Sequence, residues 1–418
     1  MPNRTDFDLS TEACAHLEKI RNADVLVGIP SYNNVLTASY VVSQVVTGLD
    51  MYFHNLKSVI FVSDGNSVDG TLRSVRTVQL PCRGVDSCNP NLIPAVYLGI
   101  SGKGSAIKAI FEASHLLGAK AVALVDSDLR SIKPEWVKLL ISPVLAGAGL
   151  VVPFYSRRKY DGTITDFLCY PITASLYGKD IRQPIGGDFG LSFELIDELL
   201  DSPMWTKPEL RSFGVDIFET HSALAKGFKV KQAFLGVKDH DQKDPTKHLA
   251  PMFRQVIDTM FTCIEEYETS WKKIRGISEV EMIGEENHVN FLQPVQIDLQ
   301  NMLSTYRNAY DVYRSLYQSI LRDDSLRVFE QVKNLESSFV AFPAEIWAKT
   351  VYSFIAAFHK ASAGEKATLI DALRILWTGR LVSFIKETAN VDPKDTETRI
   401  REQASVFEKM KPYLIETF

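Results

Sequence analysis

Four short, uninterrupted apolar runs punctuate the first third of the chain: VLVGI (25–29), SVIFV (58–62), AVYLGI (95–100) and AVALV (121–125). Runs of this length suit strands buried on both faces of a parallel sheet. Between them lie LTASYVVSQVVTGLDMYF, a shorter stretch carrying Leu72, Val75 and Val78, and AIKAIFEASHLLG, each with helical spacing of its apolar residues. A further helix is expected over 9–21, capped at Ser10 or Thr11 with Glu12 in its first turn. This strand–helix alternation predicts an α/β fold, a parallel sheet flanked by helices. Pro30 is expected to stop the first strand, and residues 80–94, with three prolines and two cysteines, read as loop.

In open sheets of this kind, ligands bind beyond the carboxyl ends of the strands. The fourth run ends in Asp126-Ser127-Asp128. Residues i and i+2 of a strand point to one side, so two carboxylates are expected to leave it together. Hard oxygen ligands suit Mg²⁺ or Mn²⁺, with a diphosphate completing the shell. The competing reading is a helix cap, since Asp and Ser cap well and Pro134 follows. The third run leads into Ser101-Gly102-Lys103-Gly104-Ser105 and a helix. Backbone amides, a positive helix end and one lysine there favour a phosphate. The competing reading of Lys103 is a solvated loop lysine. The loop is not a Walker A motif, and the chain has no G-x-G-x-x-G at this point.

The net charge of −5 gives no reason to expect nucleic acid or an anionic membrane as partner. With 45% apolar and 23% charged residues the composition is that of a globular protein. No stretch approaches the roughly 20 apolar residues of a membrane span, and the first 20 residues lack the apolar core of a signal peptide. The five cysteines, at 14, 82, 88, 169 and 263, are scattered and lack zinc-ribbon spacing, which suits a reducing cytoplasm.

From Leu150 the alternation breaks down. VVPFYSRRKYDGT clusters three basic residues, and Gly186-Gly187 lets backbone approach a ligand. A helix over 211–228, closed by Gly227, carries Asp216 near its start. KVKQAFLGV reads as a strand leading to a polar loop in which His240 sits between two aspartates, with lysines at 238 and 243. Beyond a boundary near 250–255 the chain is mostly helical. Ile346, Trp347, Val351, Phe354, Ile355 and Phe358 form one helical stripe, and Leu373, Leu376, Trp377, Leu381, Phe384 and Ile385 another. These stripes read as core, available for a homodimer interface or for packing on the first domain.

A transferase using a nucleotide-sugar needs a nucleoside pocket, a cation with a basic group for the departing diphosphate, and an acceptor site. The chain offers candidates for each in order. IPSYNN, VSDGNSVDGT and the DxD, in sequence, resemble the nucleotide-binding half of a GT-A fold glycosyltransferase. SGKGSAIKAI, VDSDLRSIKPEWV, RQPIGGDFGLS, FGVDIF and GVKDHDQ narrow the resemblance to the retaining mannosylglycerate and glucosyl-3-phosphoglycerate synthases. It spans about residues 24–250 and continues weakly into EIWAKTVYSF and LWTGRLVSF.

The resemblance implies a GT-A domain over 1–250, with a nucleotide-sugar half (24–130) and an acceptor half (150–250), and a helical domain over 251–418. It implies that Pro30, Ser31, Tyr32, Asn34, Asp64 and Ser127 hold the nucleoside and Lys103 the diphosphate. Asp126 would reach the nucleotide or sugar, and Asp128 and His240 would bind Mg²⁺ or Mn²⁺. Arg157 and Thr165 would grip an acceptor carboxylate. Ile185, Gly186 and Gly187 would line the sugar and acceptor, with Asp216 the acid near the sugar. The expected donors are GDP-mannose, GDP-glucose or UDP-glucose, and the expected acceptor is glycerate or a similar small hydroxy acid. Thr163 stands where the phosphoglycerate enzyme has an arginine for the acceptor phosphate, which points to free glycerate unless Arg158 or Lys159 substitutes.

Overall fold

The computed structural model describes residues 7–81, 89–239, 245–285, 295, 297–334 and 342–418. Two compact units emerge: Met1–Ser156 with Gln183–Asp244 and Val280–Val289, and Arg157–Arg182 with Pro245–Glu279 and Asn290–Phe418. Residues 157–182, assigned by sequence to the first domain, cluster with the second unit.

The first unit is built on one sheet. Its strands are β1 (Val25–Ser31), β2 (Ser58–Asp64), β3 (Asn91–Val96), β4 (Ala121–Leu124), β5 (Leu150–Ser156), β6 (Gly190–Ser192), β7 (Val230–Val237) and β8 (Met282–Ile283). They lie in the order β3-β2-β1-β4-β6-β5-β7-β8. All neighbours run parallel except β6, which is antiparallel to both β4 and β5. β1, β2, β4 and β5 are buried along their whole lengths, as uninterrupted apolar runs require. The α/β class and the helical carboxyl-terminal region expected from the sequence are both present.

Alternation along β1 sets the two faces. Val25, Val27 and Ile29 join a core with Val41, Val45 and Leu49 of the helix Ala38–Phe53 and Val137, Leu140 and Ile141 of the helix Pro134–Leu145. Gly28 looks the other way, where a Cβ would lie 2.2 Å from Ile110 of the helix Lys103–Leu117. Each fully buried aliphatic side chain contributes about 1.5–3 kcal/mol, so this two-faced core dominates the unit's stability.

Two local expectations fail. Pro30 does not stop β1, which runs on to pair Pro30 with Ser63 and Ser31 with Asp64. Gly28 O accepts from Val125 N, so Pro30, two residues further, faces the same side beyond the end of β4, where its missing N–H leaves nothing unpaired. The third strand is NLIPAV rather than AVYLGI. It is an edge strand, which tolerates Pro94.

In the second unit, Trp347, Val351, Phe354, Phe358, Leu373, Leu376, Trp377, Leu381 and Phe384 are buried, so both aromatic stripes serve that unit's own core. No helix among the described residues is long and apolar enough to cross a membrane.

Candidate active site

The strand order reverses direction at β1: β2 lies on one side of it and β4 on the other. The crevice beyond the carboxyl ends of β1 and β4 is therefore the topological switch point, where such sheets take ligands. Hydrogen bonds tie the two loops there. Ser127 Oγ donates to Asn34 Oδ1 at 2.8 Å, and Thr37 Oγ1 donates to Ser127 O at 2.8 Å. Asn34 Oδ1 also accepts from Tyr32 N at 3.0 Å.

Asp64, at the end of β2, is fully buried. Its Oδ1 accepts from the hydroxyls of Ser31 and Ser67, each at 2.7 Å, and its Oδ2 accepts from Ser67 N at 2.7 Å. The Asp-Gly-Asn-Ser turn is thus wound around one carboxylate. Tyr32 is 60% exposed, and its ring lies over Gly65, where a Cβ would sit 3.0 Å from Tyr32 Cδ2. Pro30 is buried.

Past β4 the two acids of the DxD part company. The strand ends at Leu124, so Asp126 and Asp128 lie on a turn and do not share a strand face. The Oδ1 of Asp126 is 3.0 Å from Lys103 Nζ and its Oδ2 2.8 Å from Lys238 Nζ. Its backbone N donates to Asp188 Oδ1 at 2.8 Å. Asp128 is half-buried, and no ion pair to it is formed among the described residues. The helix that Pro134 opens does follow, but its N-cap is Lys133, not the DxD.

The two lysines differ in what they have left to give. An ammonium has three hydrogens. Lys238 places its Nζ at 2.8 Å from each of three acceptors, Asp126 Oδ2, Asp188 Oδ2 and Gly186 O. Lys103 meets Asp126 and, more loosely, Asp216, whose Oδ1 and Oδ2 lie at 3.2 and 3.4 Å. Lys103 therefore retains capacity for a further acceptor, and Lys238 is saturated. Lys238 and Asp188 were not selected by sequence reasoning as site residues, although both lie inside quoted motifs, GVKDHDQ and GGDFG. A β-bulge that slips register between Phe154 and Tyr155 of β5 against β7 sits just before Lys238. Bulges beside sites re-aim side chains. Tyr155 donates its hydroxyl to Asp188 Oδ2.

Charge follows this geometry. Burial opposes ionisation of Asp126, but Lys103 and Lys238 outweigh it and hold its carboxyl far below the usual range. Burial works against both ammonium groups too. Asp126 and Asp216 nonetheless raise Lys103, and Asp126 and Asp188 raise Lys238 to about 12. Asp216 is raised by burial, against the pull of Lys103 and with the push of Asp126. Glu219, one turn along the same helix and fully buried, has neither carboxyl oxygen hydrogen-bonded, and burial first, then Asp216, pushes it well up. Glu219 also escaped sequence reasoning, because nothing in the pattern separates a buried acid from a surface one.

Gly187 closes the cluster. Its φ is +86°, and a Cβ would lie 2.5 Å from Asp126 Oδ2 and 3.1 Å from both Lys103 Nζ and Lys238 Nζ. Only glycine fits there. Ile185 precedes it, and Gly186 packs on Pro153, where a Cβ would be 2.1 Å from Cγ.

The SGKGS loop corrects an expectation. The second and third helix amides are not open to an anion: Gly104 N donates to Ser212 O and Ser105 N to Arg211 O, both at 3.0 Å. Cβ atoms at Gly102 and Gly104 would lie 2.4 Å from Arg211 O and 1.9 Å from Leu210 O. These two glycines admit the 210–212 backbone, and Lys103 alone is left to reach a phosphate.

Arg157 and Thr165 belong to the second unit. Arg157 lies 3.9 Å from Asp161, and Thr165 is buried at the start of a single π-helical turn, Thr165–Cys169. Lys159 donates to Thr388 O and, at 2.9 Å, to Val391 O. It caps the helix Ala363–Thr388. His240 lies outside the described residues. Among the described residues no group of three His, Cys, Asp or Glu side chains could hold a metal ion.

No protein-family model and no curated protein matches the chain. Solved structures do. Glucosyl-3-phosphoglycerate synthase from Mycobacterium tuberculosis, in complex with Mn²⁺, uridine diphosphate and phosphoglyceric acid, is 22% identical over 60% of this chain and 81% of its own, with a TM-score of 0.44. The same enzyme with Mn²⁺, UDP-glucose and phosphoglyceric acid is 21% identical over 68% and 91%, again at 0.44. A mycobacterial protein is 24% identical over 60% and 78%, also at 0.44. The structural neighbours of this chain are glucosyl-3-phosphoglycerate synthase structures, and the likeness is a moderate one of fold.

Proposed function

We propose that the protein is a metal-dependent, retaining glycosyltransferase that moves an α-hexosyl group from a nucleotide diphosphate sugar to D-glycerate or a similar small hydroxy acid. The observation that carries this reading is the ion cluster at the switch point. A buried carboxylate, Asp126, is held between two ammonium groups, one of which, Lys103, keeps a free hydrogen beside the bare backbone of Gly187. Such a site is built to receive a multiply charged anion next to a neutral, hydroxyl-rich group.

On this reading Tyr32 offers a face for the base, and Ser31, Asn34, Ser127 and Asp64 keep the nucleoside loops in register. Lys103 takes the diphosphate and balances the charge that grows on it as the bond to the sugar breaks. Lys238 acts through Asp126, holding its Oδ2 in place while Lys103 meets Oδ1. Asp216, raised towards neutrality, positions sugar hydroxyls rather than attacking the anomeric carbon. The bond from that carbon to the diphosphate oxygen breaks as the acceptor oxygen bonds to the same face, and the acceptor's proton passes to the departing phosphate.

A divalent cation fits the donor set. Asp126 is wholly engaged by lysines, but Asp128 is an uncommitted hard oxygen ligand at the crevice, and Mg²⁺ is commonly held by one or two carboxylates plus phosphates. Asp128 and His240 would hold it, and when bound it supplies charge neutralisation to the diphosphate. Thr163 in place of an arginine and Lys159 occupied at a helix end favour free glycerate over 3-phosphoglycerate, and leave Arg158 as the substitute for an acceptor phosphate that the acceptor comparison tests.

The test is release of nucleoside diphosphate from GDP-mannose, GDP-glucose and UDP-glucose, each with D-glycerate and with 3-phosphoglycerate, with Mg²⁺ or EDTA. Turnover with glycerate that EDTA abolishes is expected. Donor binding without turnover for any acceptor would identify a non-catalytic nucleotide-sugar-binding protein instead.

A further inference from the structure

We infer that Asp8 and Arg211 form a clasp that positions Lys103, so the amino-terminal segment completes the catalytic centre from outside it. The catalytic half of this inference rests on the transferase reading; the structural half does not.

The segment reaches the site in three steps. Leu9 bridges to Tyr97 in antiparallel fashion and Leu98 N donates to Asp8 O at 2.7 Å, so residues 8–9 extend the sheet beyond β3. Asp8 is 8% exposed. Its backbone N donates to Glu112 Oε2 at 2.8 Å, and its Oδ2 lies 3.6 Å from Lys108 Nζ and pairs with Arg211 Nη1. Arg211 also donates from Nε to Trp205 O at 2.8 Å, so its guanidinium is fixed at two points.

A fixed Arg211 side chain fixes the Arg211 and Ser212 carbonyls, which cap Ser105 N and Gly104 N. Lys103 is the residue immediately before those amides. The same 207–214 stretch runs straight into the helix Val215–Ala225, which carries Asp216. One bracket therefore sets both ends of the Lys103–Asp216 contact. Tyr97, the partner of Leu9, holds the other side of the loop, accepting from Gly102 N at 2.9 Å. Burial of this many charges is economical only where geometry is held tightly, since a displaced charge loses its partner in a dry site. Displacements of about 1 Å cost up to ~100-fold in rate when a catalytic group is involved.

The test uses the full chain carrying Asp8→Asn, with Arg211→Lys as a second variant that keeps the charge but cannot form both guanidinium bonds. Hydrogen exchange is read amide by amide. The proposal expects Gly104 and Ser105 to exchange about tenfold faster or more in either variant, with the middle of the same helix, Ile110–Ala113, unchanged. Turnover is read in a double-mutant cycle. Asp8→Asn should lower kcat about tenfold with Lys103 present and have no further effect on a Lys103→Met background. Unchanged exchange at 104–105, or an equal fall in kcat on both backgrounds, would overturn the clasp. If the wild-type chain transfers no sugar at all, the transferase reading fails, and the exchange result still decides whether Asp8 and Arg211 hold the loop.

Discussion

At the scale of single residues, the site separates two lysines that a sequence presents as equals. Lys238 has three short acceptors and no spare hydrogen, and Lys103 has looser partners and one to spare. Their substitutions should therefore differ in kind. Lys238→Met leaves Asp126 and Asp188 facing each other with a single ammonium, and breaking a buried pair in this way costs about 3–5 kcal/mol. A fall in thermal midpoint is expected, together with lost activity. Lys103→Met leaves Asp126 with Lys238 and strands only Asp216, whose contacts to Lys103 are longer, at 3.2 and 3.4 Å, and whose carboxyl burial already raises towards its neutral form, so a smaller stability change and a kcat loss of about 100-fold or more are expected. Equal stability losses would contradict the division of labour. Asp128→Ala and His240→Ala should each abolish metal-dependent turnover, whereas Asp216→Asn should leave some, because its role is to position. Full activity of the Asp128 variant would remove the metal from that place.

At the scale of elements, the glycines of SGKGS show how a pattern can be right about a loop and wrong about its purpose. A Cβ at Gly104 would lie 1.9 Å from Leu210 O, a backbone atom that cannot swing aside. Gly104→Ala should destabilise by at least about 1–3 kcal/mol, as overpacking does, and should lower kcat through Lys103. A stable, fully active variant would show that the 210–212 backbone yields easily. Much of the first unit was legible because buried parallel strands write themselves as continuous apolar runs. β1, β2 and β4 were found that way. β3 was misplaced by four residues, because an edge strand is half-exposed and tolerates Pro94. The capping of Ser105 by Arg211 was illegible, since it joins residues more than 100 apart with no motif between them. Asp126 was legible as an acid at the carboxyl end of the fourth run. Its separation from Asp128 was not, because the strand stops at Leu124 and the assumed two-residue repeat ends with it.

At the scale of the whole molecule, buried acids in both units make stability depend on pH. Burial raises Glu112 from 4.5 to about 7, against Lys108, and raises Asp166 from 3.8 to about 6, against Arg182. A carboxyl raised on folding contributes stability that is complete below its unfolded value and lost as pH rises through its folded one. Stability should fall between about pH 4.5 and 7, with Glu112 supplying about 3 kcal/mol at ~1.4 kcal/mol per pH unit. Glu112→Gln should flatten that slope in denaturant titrations at several pH values, and an unchanged slope would contradict the assignment. Asp126 works in the opposite sense, because its depressed pKa removes stability only as pH falls through that low value.

The claim on which the rest depends is that Lys103 and the switch-point crevice receive a nucleoside diphosphate. Calorimetric titration with GDP or UDP, and with the matching monophosphate, in Mg²⁺ tests it most directly when wild type and Lys103→Met are compared. The account predicts that the substitution weakens diphosphate binding about tenfold or more and weakens monophosphate binding less, since the proposed role of Lys103 is to balance the charge of the diphosphate. Equal affinities of the two proteins for the diphosphate would contradict it.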